Sequence, residues 1–371
     1  MKILCIHQGW ELYGSDRSFL MNLELLQKIY SDSLELEVII PCDGPIVNEI
    51  KKITLNVSFD DIGKIEKKQA KKNPLKSIYK AIKASFNARK KMKEVDLVYI
   101  NTIVPFGYLI GSFLLKKKVI IHVREIPSPI VAKIFKLWFT ICRTHLIFNS
   151  YSTQRSFFME NYKRGQVILN AVEEIPINNV NSEQRNKIHL LLIGRINAWK
   201  GHEFLLDTFS KLNDSIKEKY IIRFVGDSPK GQDFYKTNFI KKIEDLNLSK
   251  YIEIVGFENN PSSHYNWSDV VICPSTLPEP FGRVAVEAFS NFKPVIAANH
   301  GGLGDIITPN FNGWHFKAND SNELLKILET LSIDNTKIKE FGRNARTSFL
   351  ENYSISSYES DFKTFLEKIN D

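Results

Sequence analysis

Two glutamates eight positions apart, Glu279 and Glu287, stand in PSTLPEPFGRVAVEAF, a stretch otherwise rich in proline and apolar residues. Phe281, Val284, Ala285, Ala288 and Phe289 follow the period of one helix face, so Glu279 precedes a helix and Glu287 lies inside it. At 100° per residue Glu287 falls off the apolar stripe, beside Arg283 and Ser290. An exposed pair with Arg283 there would be worth only about 0.3 kcal/mol. Glu279, set between two prolines, has no such periodic partner, and Gly282 would let backbone N–H groups approach a phosphate closely. A second cluster lies upstream in GRINAWKGHEFLLDTF, where Arg195 and Lys200 precede an amphipathic helix carrying Phe204, Leu205, Thr208 and Phe209. Two cations ahead of a helix N-terminus suit a polyanion, or are simply two solvated surface charges. The loop lacks the GK[ST] of a Walker sequence, and its glycines do not match GxGxxG.

Strands are needed to present these loops. Short β-rich runs recur with helical patterns between them: KILCIHQ, LEVII, DLVYIN, KVIIHV, HLIF and QVILN, then HLLLIGR, YIIRFVG, YIEIVGF, VVICPS and PVIAAN. Alternation of this kind predicts α/β architecture with parallel sheets. The polar segment EEIPINNVNSEQRNK, 173–187, divides the two series, and 371 residues suit two domains. The expected division is residues 1–172, a linker at 173–187, and 188–353. Ligand loops should follow the carboxyl ends of the strands. A last helix, about 354–371, has Tyr358, Phe362 and Leu366 on one face.

The block PS-x4-EPFG-x3-xEA, followed by KPVIAANHGGLGDII and NGW, resembles the retaining nucleotide-sugar glycosyltransferases of family 4, which have the GT-B fold. IGRINAWKG, RFVGDSPKG and VGFENNPSSHYNWSDVVICPS resemble other blocks of that family, in the same order. The resemblance implies two Rossmann-like doubly wound parallel-sheet domains facing across a cleft, the first for the acceptor and the second for the donor. It implies that Arg195 and Lys200 hold the donor diphosphate, Glu279 the donor sugar and Glu287 the ribose. Phe281, Gly282 and Arg283 would cradle sugar and phosphate, with Gly256 and Phe257 beside the base. In the first half, Gly14-Ser15-Asp16 stands where the family often has a double glycine near the phosphates. His122 resembles the family's active-site histidine, although a strand-end histidine can be purely structural, and Arg124 and Glu125 would share its cleft. Asn101 stands where a histidine is common and Asp305 where a glutamate is common. The last helix would pack back on the first domain. Catalysis would then rest on Arg195, Lys200, Glu279 and His122. No DxD-type acidic pair is present, so neither a metal nor another cofactor is expected. Glu279 is assigned to the donor and not to folding. The alternatives are a nucleotide-sugar epimerase of the same fold and a non-catalytic nucleotide-sugar binding protein.

The four cysteines, at 5, 42, 142 and 273, form no metal-ligand spacing and read as core thiols. Neither the N-terminus nor the apolar run Thr102 to Leu115 is long enough for a signal or a membrane span, which predicts a cytoplasmic protein. Lys64 to Lys93 holds twelve Lys/Arg and one acid, while the whole chain carries only +8, so the rest is slightly acidic. Asn73-Pro74 predicts a helix start, and Leu75, Ile78, Tyr79, Ile82 and Phe86 a stripe packed on the domain's sheet. Lys76, Lys80, Lys83 and Lys90 would face outward, and with Lys67, Lys68, Lys71 and Lys72 would meet an anionic membrane at the inner cell surface. Such binding would be lost as ionic strength rises. No partner is expected among nucleic acids. The acceptor would be a glycan or lipid-linked, in cell-surface polysaccharide or glycolipid assembly.

Overall fold

A computed structural model describes residues 1–12, 14–65, 72–177 and 186–370, the side chains of Asp32 and Asn370 excepted. Lys67, Lys68, Lys71 and most of the expected linker lie outside these residues. The chain divides into two compact units, Met1–Asn170 with Tyr358–Asp371, and Ala171–Ser357.

The first unit is built on seven parallel strands: β1 Lys2–Ile6, β2 Glu35–Ile40, β3 Val57–Phe59, β4 Leu97–Asn101, β5 Lys118–Val123, β6 His145–Phe148 and β7 Gly165–Val167. Their order is β3-β2-β1-β4-β5-β6-β7. The second holds six: β8 Ile188–Ile193, β9 Tyr220–Val225, β10 Ile252–Val255, β11 Val270–Cys273, β12 Val295–Ala298 and β13 Gly313–Phe316, ordered β10-β9-β8-β11-β12-β13. Both are doubly wound, Rossmann-like sheets, as the alternating runs predict. β3 and β13 were not among the predicted strands. VSF is only three residues long, and in GWHF two residues are half-buried, so neither has the apolar run of a central strand.

In the central strands both faces are covered, and nearly every side chain is buried. On one face of the first sheet, Leu4, Ile6, Val98, Ile100 and Ile121 join residues of the helices Pro74–Lys93, Phe106–Gly111 and Pro129–Cys142 in one core. The helix Ile355–Asn370 packs on the same unit with Tyr358, Phe362 and Leu366 buried. Tyr358 Oη donates to Asn22 Oδ1 at 2.7 Å.

Two expectations are corrected. Only Cys5 and Cys273 are buried; Cys42 is exposed just past β2 and Cys142 half-buried at a helix end. The helix Pro74–Lys93, capped by Asn73 as expected, turns its other face inward, toward the helix Phe106–Gly111 and the core: Ala81, Ala84, Ser85, Ala88 and Met92 are buried, while Leu75 and Phe86 are 79% and 72% exposed. Its neighbour explains the choice. A Cβ on Gly107 would stand 2.9 Å from Ala84 Cβ, and one on Gly111 3.0 Å from the Ser85 carbonyl oxygen, an approach that only small side chains permit. No helix among the described residues is long and apolar enough to cross a membrane.

Candidate functional site

In the second sheet the strand order reverses between β8 and β11, where an open parallel sheet leaves a crevice at its carboxyl edge. The loop after β8 carries Arg195 and Lys200, and the loop after β11 carries Ser275 and Glu279. Gly201 lets them meet: its φ is +81° and a Cβ there would stand 1.9 Å from the Pro274 carbonyl oxygen.

Lys200 Nζ donates to Glu279 Oε1 at 2.9 Å and lies 4.8 Å from the centroid of the Trp199 ring. Ser275 Oγ donates to the same carboxylate oxygen, and His300 Nε2 donates to the Ser275 carbonyl at 2.7 Å. Gly302 N donates to the Glu279 carbonyl at 2.7 Å, fastening the helix Gly301–Ile306 to this loop. Burial raises the pKa of Glu279, but the Lys200 charge, the hydrogen bonds from Lys200 and Ser275 and the charge of His300 outweigh it, leaving the carboxyl below its ordinary range. Its Oε2 accepts no hydrogen bond among the described residues, although Glu279 is only 9% exposed. Lys200, Ser275 and Glu279 line a recess together with Ile193, Cys273, Gly282 and Val284.

Lys200 and Glu279, given separate tasks in the sequence reading, are therefore ion-paired. Glu279 also ties two loops together, so the expectation that it is idle in folding is replaced. Glu287 accepts from Arg283 Nε at 2.7 Å and from the buried Tyr265 hydroxyl at 2.7 Å; the i, i+4 pair exists, but half-buried and with a third member. Gly282, at φ +118°, precedes the helix Arg283–Ser290, and Phe281 beside it is buried. Gly226 N donates to the Gly256 carbonyl at 3.2 Å, joining the loops after β9 and β10, where the Phe257 ring is 60% exposed. Arg195 is exposed at the start of its loop and Asp305 is half-buried. Among the described residues no three His, Cys, Asp or Glu side chains gather as metal ligands.

The first sheet reverses between β1 and β4, and a buried polar chain lies at that edge. His7 Nε2 donates to Asp16 Oδ1 at 2.6 Å, and Asn101 Nδ2 donates to His7 Nδ1 at 2.8 Å. Burial lowers the His7 pKa despite Asp16, which agrees with this neutral tautomer. Arg124 continues the chain, Nε donating to Asn101 Oδ1 at 2.8 Å and Nη1 to Asn170 Oδ1 at 2.7 Å. His122 is fully buried: Tyr99 Oη donates to its Nδ1 at 2.7 Å and Arg124 Nη2 at 3.1 Å. Its proton is therefore on Nε2, which has no partner among the described residues. Burial and then the Arg124 charge hold this imidazole well below its usual pKa, so it is a neutral N–H donor and not a base. Gly14 is exposed and Ser15 half-buried at the start of the helix Gly14–Tyr30.

Ser275, His300, His7 and Tyr99 escaped the sequence reading. A polar residue at or just past a buried strand's carboxyl end was the available signal, and all but Tyr99 carry it.

Glu125 accepts from the backbone N–H of Arg124 at 3.0 Å and of Ile103 at 3.3 Å. Burial nevertheless pushes its carboxyl up to about 7. An acid whose native pKa is raised destabilises the fold increasingly as pH climbs from its ordinary value to the native one. Glu125→Gln should thus be about 2 kcal/mol more stable than the unaltered protein at pH 8 and nearly equal to it at pH 4.5, as read by urea unfolding. A difference that does not grow with pH would show that the carboxyl is not held protonated.

Residues 174–348 match the family model of the glycosyl transferases group 1. The chain is 28% identical over 274 residues to an uncharacterised 41.2 kDa protein in the cps region of Klebsiella pneumoniae, covering 70% of this chain and 69% of that one. It is 26% identical over 188 residues to the lipopolysaccharide 1,2-N-acetylglucosaminetransferase of Salmonella typhimurium, where the match spans 48% of this chain and about half, 49%, of the relative. Among solved structures, Anabaena HepE in complex with UDP and glucose superposes with a TM-score of 0.79 at 23% identity, covering 99% of each chain.

Proposed function

We propose that this chain, which holds a glycosyl transferase group 1 domain and has the GT-B fold, moves a sugar from a nucleoside diphosphate to an acceptor hydroxyl with retention at the anomeric carbon. The observation that carries the reading is the Lys200–Glu279 pair at the reversal point of the second sheet. When the bond from the anomeric carbon to the phosphate oxygen breaks, negative charge builds on the diphosphate. Preorganised cations and N–H donors stabilise that charge. Lys200, Arg195 and the helix start at Gly282 would supply them, without a metal or other cofactor. As Lys200 turns to the diphosphate, Glu279 is released to accept from sugar hydroxyls, so donor binding exchanges one partner for another. The leaving phosphate would accept the acceptor's proton as the new bond forms on the same face.

Around this centre, Glu287, oriented by Arg283 and Tyr265, is assigned to the ribose, Phe281 to the cradle, and Gly256 and Phe257 to the base. Gly14, Ser15 and His122 are the residues assigned in the first unit, His122 as an N–H donor. The lipopolysaccharide transferase among the relatives supports a place in polysaccharide or lipopolysaccharide assembly. A glycan or lipid-linked acceptor at the inner face of the cell membrane is part of the same proposal.

A panel of nucleotide sugars screened by thermal stabilisation should select one donor. That donor should then release nucleoside diphosphate only with an acceptor, survive EDTA, and give a product of unchanged anomeric configuration by NMR. Turnover without an acceptor would indicate an epimerase, a stabilising donor with no turnover a binding protein, and magnesium-restored activity a metal site.

A further inference from the structure

The helix Pro74–Lys93 has three faces about 120° apart at 100° per residue. One holds the small buried residues, one Lys76, Lys80, Lys83 and Lys90, and the third Leu75, Ile78, Tyr79, Ile82 and Phe86, all exposed to between 43% and 79%. The helix Pro129–Cys142 repeats the arrangement: Ala132, Phe135 and Phe139 are buried, while Ile130, Ile134, Leu137 and Ile141 face out at i, i+4, i+7 and i+11, flanked by exposed Lys133 and Lys136.

Both helices lie on the same face of the first sheet. The segment between them joins their outer surfaces: Arg89 Nη1 donates to the carbonyls of Gly111 and Phe113 at 2.9 and 2.5 Å, and the Phe113 ring lies 5.1 Å from Trp138. That segment adds exposed Phe113 and Leu114, followed by Lys116 and Lys117.

From this geometry we infer that the outer surface of these two helices is a docking face for an anionic lipid bilayer, with apolar side chains entering the headgroup boundary and lysines around them meeting the phosphates. Charge decides for lipid as the occupant. Neither helix contains an acidic residue, and the nearby acids are engaged within the unit: Asp60 by Lys91 at 3.1 Å and the Tyr108 hydroxyl at 2.9 Å, Asp61 by Lys80 at 3.6 Å and the Gly63 N–H at 3.0 Å. Apolar area bordered by cations is the composition of a helix lying in a membrane interface. Insertion adds a component that salt does not screen, so release at high ionic strength should be incomplete.

The test is co-sedimentation of the full chain with vesicles of phosphatidylcholine alone or with phosphatidylglycerol added, at low and at 0.5 M salt (about a 4 Å screening length). The unaltered protein should sediment with the anionic vesicles and retain a fraction at high salt. Replacing Ile78, Ile82 and Phe86 by Gln, or Ile134 and Leu137 by Gln, should remove the retained fraction and weaken binding roughly tenfold or more, with circular dichroism unchanged because these side chains are exposed. Lys76, Lys83 and Lys133 changed to Gln should abolish the preference for phosphatidylglycerol. No sedimentation with anionic vesicles at low salt would overturn the inference, as would apolar variants that bind like the unaltered protein. A dimer in solution that the Ile78, Ile82 and Phe86 variant dissociates, with no vesicle binding, would assign the face to a second copy of the chain.

Discussion

Glu279→Gln is expected to lower turnover by roughly 10² or more, the scale of removing a positioned polar contact from a transition state. Because the carboxylate is proposed to hold the sugar as the bond to phosphate breaks, kcat and kcat/KM should fall together. The same substitution removes the counter-charge of Lys200 and weakens the tie between the loops after β8 and β11, which predicts a stability loss of about 1–2 kcal/mol at pH 7. The two effects separate by pH. A carboxyl whose native pKa is depressed contributes stability above its ordinary value, and the contribution disappears as pH falls through the native one. The melting temperatures of variant and unaltered protein should therefore converge in acid, while the rate deficit, assayed well below both melting temperatures, stays. Full activity in the variant would remove Glu279 from the site.

Lys200→Met is expected to be the more damaging change to the fold. Glu279 would stay nearly buried with only the Ser275 hydroxyl on its carboxylate, and breaking a buried pair from one side costs about 3–5 kcal/mol, less here because Lys200 retains 18% exposure. Without the ammonium, desolvation dominates and the Glu279 pKa should rise above its ordinary value. Stability would then fall as pH rises, opposite to the contribution Glu279 makes in the unaltered protein. Adding Glu279→Gln should recover much of the loss, because a neutral amide needs no counter-charge. Affinity for the free nucleoside diphosphate should drop roughly tenfold or more, the worth of one charge-assisted hydrogen bond, measurable by calorimetry on the folded variant. Unchanged nucleotide affinity would leave Lys200 with a structural task alone.

The alternation of apolar runs and helical patterns was enough to predict two doubly wound parallel sheets, because strands buried on both faces must be written almost wholly in apolar residues. The same writing placed Lys200 and Glu279 on strand-end loops. That these two side chains meet depended on strand order: β8 and β11 are far apart in sequence and adjacent only because the sheet reverses between them. Gly201 shows the limit of local reading, since its role is to clear the Pro274 carbonyl from another loop. The polar chain from Asp16 through His7, Asn101 and Arg124 to His122 joins three strand ends and one helix start, and no local period encodes it.

The helix Pro74–Lys93 marks the same boundary most clearly. Its sequence determined a helix, a cap and one stripe of large apolar side chains. Periodicity ranks the larger side chains as the core, yet Ala84, Ser85 and Ala88 are the ones buried, because Gly107 and Gly111 bring a neighbouring helix too close for anything bulkier. Composition determined that this segment would be basic and helical; only tertiary packing decided that its largest apolar residues would face away from the core, since the distance between two backbones is set by both partners and written in neither alone.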